Sequence, residues 1–314
     1  MKSYNCFYSA LFEVLEDYFG EKTHFLINNR WQFFLRKDSV YTDDKRMIGE
    51  WPMLYDRQHL YKLYEKMGIS IIFTNCLDNS INTFLKNEKS SVMMFANKMN
   101  ILHNTSLKLE HKCVSTVIVK KKMDEFVYCQ TFDNELEPLK KIGVEVLYQA
   151  WKAASDYERL NQCHICIEYV KGDRKYDIEE FARTCMKSSL IHYLSLNNVE
   201  NIYLGNAAMM MFLEEIEKWK KDDFKKIIDC SMYMDILIKQ RILFIETLKK
   251  LDIKNRVMIL EKLTVLIEKW KNVKMLFYII GMRKQGGAMK QISNMFHELI
   301  GLELEVTFKL LENI

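Results

Sequence analysis

Phe7, Leu11, Val14, Leu15 and Phe19 recur at helical spacing and predict an amphipathic helix over about residues 6–19. The aromatic segment Trp31-Gln32-Phe33-Phe34-Leu35 follows, then a predicted helix near 56–67, after Trp51-Pro52 and ending at Gly68. Ile69-Ser70-Ile71-Ile72-Phe73 is a β-branched run that predicts a short strand, and Asp78 or Asn79 can cap a helix through Lys86. Val92–Ala96 reads as a strand. Cys113–Lys120 and Glu125–Thr131 read as antiparallel strands joined by a Lys-Lys-Met-Asp connection, and Cys163–Val170 adds a third strand. A helix first and strands later is an α+β arrangement.

After Gly172 the period changes. Asp177 and Glu180 form a D-x-x-E helix start, and this helix is predicted to run to about Leu196. Further helical runs cover roughly 206–221, 223–251, 256–283 and 288–312, with Leu/Ile/Met/Phe stripes opposite Lys-rich faces. The sequence therefore predicts an α+β domain over 1–172 and an all-α helical domain over 173–314, joined by short connections as in a bundle.

Composition narrows the class. The 314 residues are 49% hydrophobic and 28% charged, with 10 Gly and 2 Pro, which argues for packed domains without long flexible linkers. A net charge of +4 permits an acidic partner but does not announce a nucleic-acid binder. Lys2, Glu13, Glu16 and Asp17 interrupt the N-terminal segment, so no secretory signal is expected, and no apolar run approaches a membrane span. The eight scattered cysteines read as reduced thiols of a cytoplasmic protein. No Walker motif or G-x-G-x-x-G is present, which argues against a nucleotide enzyme of those kinds.

Cys6 stands where the first helix begins. Unpaired N–H groups and the positive end of the helix dipole favour its thiolate there, which makes Cys6 a candidate nucleophile; a small buried apolar side chain is the plainer use of such a residue. A nucleophilic cysteine needs a base, itself oriented by an acid or amide. His111, just ahead of the strand starting at Cys113, is the candidate base, with His103 as a rival. Gln130 and Asp133, on or just after the next strand, are the candidate third members, although Asp133-Asn134 could equally be a turn. His24, His59, His192 and His297 read as structural. The pair Cys163/Cys166 invites zinc, but no second ligand pair follows at the usual spacing, so no metal is expected. Lys120-Lys121-Lys122 reads as a basic hairpin tip, and Lys218–Lys226 adds charge to the helical half.

Asn5-Cys6-Phe7-Tyr8-Ser9-Ala10-Leu11, Tyr18-Phe19-Gly20, Trp31-Gln32-Phe33, and the middle stretch from Asn79–Leu85 through Val92–Ala96 to His111 carry a family resemblance. The chain resembles the butirosin-biosynthesis-protein-H-like family, whose members look like papain/C39-type cysteine peptidases turned to synthesis. Tyr203-Leu204-Gly205-Asn206-Ala207-Ala208 is compatible with the C-terminal region of that family. The resemblance implies a papain-like fold in the first half. It also implies transfer of an acyl or aminoacyl group from the phosphopantetheine arm of a carrier protein, through Cys6, to a small amine, in antibiotic or nonribosomal-peptide biosynthesis. No cofactor of the enzyme's own, no nucleic acid and no membrane enter that chemistry. The chain departs from the family pattern at Ser115, which stands where a histidine is expected, and at Gln130, near the place of the aspartate. Serine cannot act as a base near neutral pH. Either His111 takes the role or the chain is a silent scaffold that binds a carrier protein or product. Hydrolysis, as a peptidase or thioesterase, is a third use of the same residues. The long C-terminal helices could also build a homodimer surface.

Overall fold

The computed structural model of the chain describes residues 6–36, 48–49, 64–74, 77, 81–82, 90–107, 113–132, 138–155, 164–169, 177–195, 198–199, 202–219, 223–284 and 288–314. Its strands are β1 (Phe34–Arg36), β2 (Ile48–Gly49), β3 (Ile69–Thr74), β4 (Ser90–Asn97), β5 (Val114–Met123), β6 (Phe126–Phe132), β7 (Lys140–Gly143), β8 (His164–Tyr169), β9 (Asn198–Val199) and β10 (Ile202–Leu204). Its longer helices are α1 (Cys6–Phe19), α2 (Thr23–Ile27), α3 (Lys98–His103), α4 (Val144–Ser155), α5 (Ile178–Leu194), α6 (Gly205–Lys218), α7 (Phe224–Leu248), α8 (Arg256–Arg283) and α9 (Met289–Asn313). The protein is a mixed α+β chain with antiparallel sheet and a helical C-terminal part. Among the described residues no helix is long and apolar enough to cross a membrane.

Contacts divide the chain into two units. The first holds Met1–Thr23, Thr42–Asp44 and Arg57–Tyr176; the second holds His24–Tyr41, Lys45–Asp56 and Asp177–Ile314. The junction at Tyr176/Asp177 lies close to the change of period near residue 172. The second unit also takes in two N-terminal stretches, a property that helical period does not report.

The first unit is built on a six-stranded antiparallel sheet in the order β3-β8-β4-β5-β6-β7. Val92, Met93 and Met94 on β4 and Val117, Ile118 and Val119 on β5 are all buried, so both faces of the sheet centre are covered. One face joins Val92, Met94, Val117, Val119, Val127 and Cys129 to Leu147 and Ala150 of α4. Each such buried Val or Leu contributes roughly 1.5–3 kcal/mol of transfer free energy. Helix α1 packs on β4, β5 and β6. Its buried Leu11, Val14 and Leu15 stand apart from the α4 cluster, which leaves α1 the opposite face, that of Met93, Thr116 and Ile118.

Two local expectations change. The strand β5 runs on through Met123, pairing Lys121 with Tyr128 and Lys122 with Val127, so these lysines are strand residues and the turn is Asp124-Glu125. A bulge between Val119 and Lys121 shifts the register and breaks the alternation a sequence reader follows. Asp124 takes the left-handed region, φ 51°, which a short polar side chain tolerates. Strand β8 lies inside the sheet, between β3 and β4, since local patterning marks a strand without naming its neighbour. Of the helix expected over 56–67, residues 64–66 are helical, and of the one expected up to Lys86, residues 81–82 are; the rest of both lies outside the described residues.

In the second unit, α5 opens as its D-x-x-E start predicts: the Asp177 carboxylate accepts from the N–H groups of Glu179 (2.9 Å) and Glu180 (3.4 Å). A small sheet in the order β2-β1-β10-β9 pairs Phe34 with Leu204 and Leu35 with Tyr203. Phe33 enters an aromatic core, its ring 6.2 Å from Trp270, 6.1 Å from Phe212 and 6.5 Å from Phe296. The Gly205 N–H donates to the Phe33 carbonyl at 2.8 Å.

Behind Phe33 lies a buried ion pair. Arg241 and Glu303 are both fully buried, with Arg241 Nε 3.0 Å and Nη2 2.8 Å from the same Glu303 oxygen. The Trp270 indole N–H donates to that oxygen at 2.8 Å. Arg241 Nη1 donates to the Gln32 carbonyl (2.9 Å) and to the Gln240 side chain, which in turn accepts from the Gln32 N–H (2.8 Å). The guanidinium also lies 4.6 Å from the Trp31 ring. The Trp31 N–H also donates to Ser189 Oγ at 2.7 Å, so helices α5 and α7 supply the partners for the buried backbone of Trp31 and Gln32.

Candidate functional site

Cys6 is the first residue of α1. Along the sheet, β4 ends at Asn97 opposite Val114, the first residue of β5, and Thr116 stands opposite Phe132, the last residue of β6. His111 precedes β5 by a few residues and Asp133 follows β6 directly; both lie outside the described residues. The strand ends that lead to them leave the sheet at one end.

Register separates the two positions that depart from the family pattern. Ser115, buried and paired with Ala96, falls on the face of Val117 and Val119 that packs on α4. Gln130 is opposite Ile118, itself opposite Met93, so Gln130 is half-buried on the α1 face. A base at position 115 would face α4, away from the helix that Cys6 opens.

The sequence reading missed a polar anchor beside this end of the sheet. Asn97 is fully buried; its side-chain oxygen accepts from the N–H groups of Cys113 (3.1 Å) and Met99 (3.3 Å), and its amide donates to Asn100 Oδ1 (2.9 Å). The Asn100 amide donates to the carbonyls of Thr105 (2.8 Å) and Leu107 (2.9 Å). The Lys98 N–H donates to the Cys113 carbonyl at 2.7 Å. The legible signal was asparagine directly after a strand and again three residues on, a helix-start pattern that α3 uses.

His103 is exposed in the last turn of α3. His297 is exposed, His24 and His192 are half-buried, and His59 lies outside the described residues. Cys166 pairs with Val92 and Ile72 within the sheet, and Cys163 lies outside the described residues. Among the described residues no group of three His, Cys, Asp or Glu side chains gathers as metal ligands do.

The remaining thiols differ sharply. Burial pushes Cys129 up to about 12, against a small opposing pull from Lys140, and raises Cys185 and Cys230 further. Cys113 is exposed and free. Brief iodoacetamide treatment of native protein at pH 8, read by peptide mass, should therefore label Cys113 and leave Cys129, Cys185 and Cys230 unmodified until the protein is unfolded.

No protein-family model matches the chain, and no curated protein matches it.

Proposed function

We propose that the first unit is a papain/C39-like cysteine domain that transfers an acyl or aminoacyl group from a carrier-protein thioester, through Cys6, to a small amine. The observation that carries the reading is the pairing of a helix that opens at Cys6 with the sheet strands whose ends, at one end of the sheet, lead to His111 and Asp133. The family resemblance supplies the substrate class. The Cys6 thiolate attacks the thioester carbonyl, the carbonyl–sulfur bond to the phosphopantetheine arm breaks, and the arm leaves as thiolate. The amine then attacks the acyl–Cys6 thioester, Cys6 departs as thiolate, and His111 takes the proton lost by the amine. In this reading the Cys6 backbone N–H helps hold the oxyanion of each tetrahedral intermediate. A thiol leaves without protonation, so this chemistry asks less of the base than peptide cleavage does. Gln130, on the face that α1 covers, and Asp133 are the candidates to orient His111.

Ser115 at the place of the family histidine favours a second reading, a silent scaffold that binds a carrier protein or product. The two separate in the pH dependence of Cys6 alkylation. An activated Cys–His pair makes Cys6 react well below the pH of a free thiol, about 8.5, and His111→Ala returns it toward that value. A Cys6 that titrates as an ordinary thiol in both proteins supports the scaffold.

A further inference from the structure

Register divides the lysine run 120–122 between the two faces of the sheet. Lys120 falls at the bulge; Lys122 pairs with Val127 on the face that packs on α4 and donates to the Asn82 side chain. Lys121 pairs with Tyr128, and Tyr128 with Lys141 of β7, so Lys121, Tyr128 and Lys141 form one row across three strands on the other face. The next row on that face is Met123, Phe126 and Gly143. Lys121, Met123, Phe126 and Lys141 are exposed and Tyr128 is half-buried, whereas Val127 and Ile142, which alternate with them, are buried in the α4 cluster. This surface lies at the hairpin end of the sheet, opposite the strand ends that lead to His111 and Asp133. Its charge is unbalanced. Among the described residues neither Lys121 nor Lys141 forms an ion pair, and the acids of this end, Asp124 and Glu125, are in the turn. Lys141 Nζ lies 4.1 Å over the Phe126 ring, which places a cation and an apolar contact side by side.

We infer that this end of the sheet docks an acidic amphipathic helix of a protein partner, whose carboxylates meet Lys121 and Lys141 and whose apolar side chains meet Met123 and Phe126. Charge complementarity selects the acidic stripe, and the exposed apolar row beside the lysines selects the apolar one. The spacing matches. Lys121 and Lys141 stand two strands apart, about 9.6 Å, and positions i and i+7 of a helix are about 10.5 Å apart on one face. A nucleic acid fits less well: lysine lacks the guanidinium fork, and a face of the Phe126 ring that could stack on a base already carries Lys141. The surface is independent of the Cys6 reading, and an inert Cys6 would leave it standing.

The test is binding of the full chain to a fluorescent peptide of three heptads, with Glu on one helical stripe and Leu on the neighbouring one, read by anisotropy. Wild type is expected to bind it, and to bind a scrambled peptide of the same composition at least tenfold more weakly. Lys121→Glu combined with Lys141→Glu should weaken binding of the patterned peptide at least tenfold, because like charges then face each other. Met123→Ser should weaken it as well. Lys187→Glu makes the same kind of charge change at an exposed lysine of α5 and should leave binding unchanged. No binding by wild type overturns the inference, as does equal binding of the scrambled peptide or an equal loss in Lys187→Glu. Oligothymidylate, or vesicles containing phosphatidylserine, binding wild type more tightly than the peptide and losing that binding in the doubly reversed variant would also overturn it, in favour of a nucleic acid or a membrane surface. Should the reversed pair disturb the hairpin, Lys121→Ala with Lys141→Ala removes the cations without adding repulsion and is judged by the same loss against Lys187→Glu.

Discussion

Gly205→Ala is expected to cost the helical unit about 3–5 kcal/mol, because a backbone that L-residues adopt only under strain would add to a steric clash. Gly205 has φ +61°, and a Cβ there would sit 2.0 Å from the Tyr193 carbonyl oxygen and 2.8 Å from its carbon. The obstructing atoms are backbone, held by α5 on one side and by the Gly205–Phe33 hydrogen bond on the other. No rotamer change relieves the overlap. Urea denaturation followed by tryptophan fluorescence measures the loss. Gly20→Ala is the control: φ is again positive, +55°, but nothing lies within 4 Å of the added carbon. That substitution should cost only about 1–2 kcal/mol, the strain alone. Equal, small losses in both would mean that the Tyr193–Gly205 approach is looser than described.

Glu303→Ala should cost a further and separate amount, about 3–5 kcal/mol, because it strands a buried guanidinium. Arg241 and Glu303 are both fully buried, and Glu303 also accepts the Trp270 indole N–H, so the variant leaves two guanidinium N–H groups and the indole N–H without their acceptor. The neighbouring Tyr193 phenol is pushed well above its usual range by burial, with Glu303 adding to the rise and Arg241 opposing it. Removing both charges with apolar groups of similar volume, Arg241→Met with Glu303→Leu, should recover much of the loss, since a buried pair often contributes little net stability against a packed apolar replacement. The same urea titration reads both proteins. A double variant as unstable as Glu303→Ala would show that losing the Arg241 contacts to Gln32 and Gln240 costs as much as the stranded charge does.

The five long C-terminal helices were legible because their apolar stripes repeat at 3.6 residues over many turns; Arg256–Arg283 coincides with the expected run of 256–283. Asp177 was legible as a cap because its carboxylate acts within two or three residues of itself. Properties set by distant partners were not. Trp31-Gln32-Phe33 reads as an isolated aromatic segment, and its place in the helical core depends on Ser189, Gln240 and Arg241, far along the chain. The position of β8 between β3 and β4 is likewise a matter of pairing that no local pattern encodes. Helix α4 went unread even though Val146, Leu147 and Ala150 stand at helical spacing, because it follows β7 without a loop to mark its start.

The apolar stripe behind Cys6 was legible as a helix, and it is helix α1. Which face of the sheet Ser115 and Gln130 occupy could not be read from sequence, because a face is assigned only once register with β4 is known. Asn97 and Asn100 escaped notice for a related reason: asparagine beside a strand end ordinarily means a turn, and their hydrogen bonds to Cys113, Thr105 and Leu107 are set by residues five or more positions away.

The measurement that bears most directly on the central claim is the intact mass of the protein after incubation with acylated phosphopantetheinyl carrier proteins, with and without a primary amine. The account predicts an adduct of one acyl mass, located on Cys6 by peptide mapping and absent from Cys6→Ala, which disappears when the amine is added as amide product forms. Loss of the adduct to free acid, with amine present and no amide formed, would contradict transfer in favour of hydrolysis. Carrier binding without any adduct, unchanged in Cys6→Ala, would contradict the nucleophile itself and leave the scaffold.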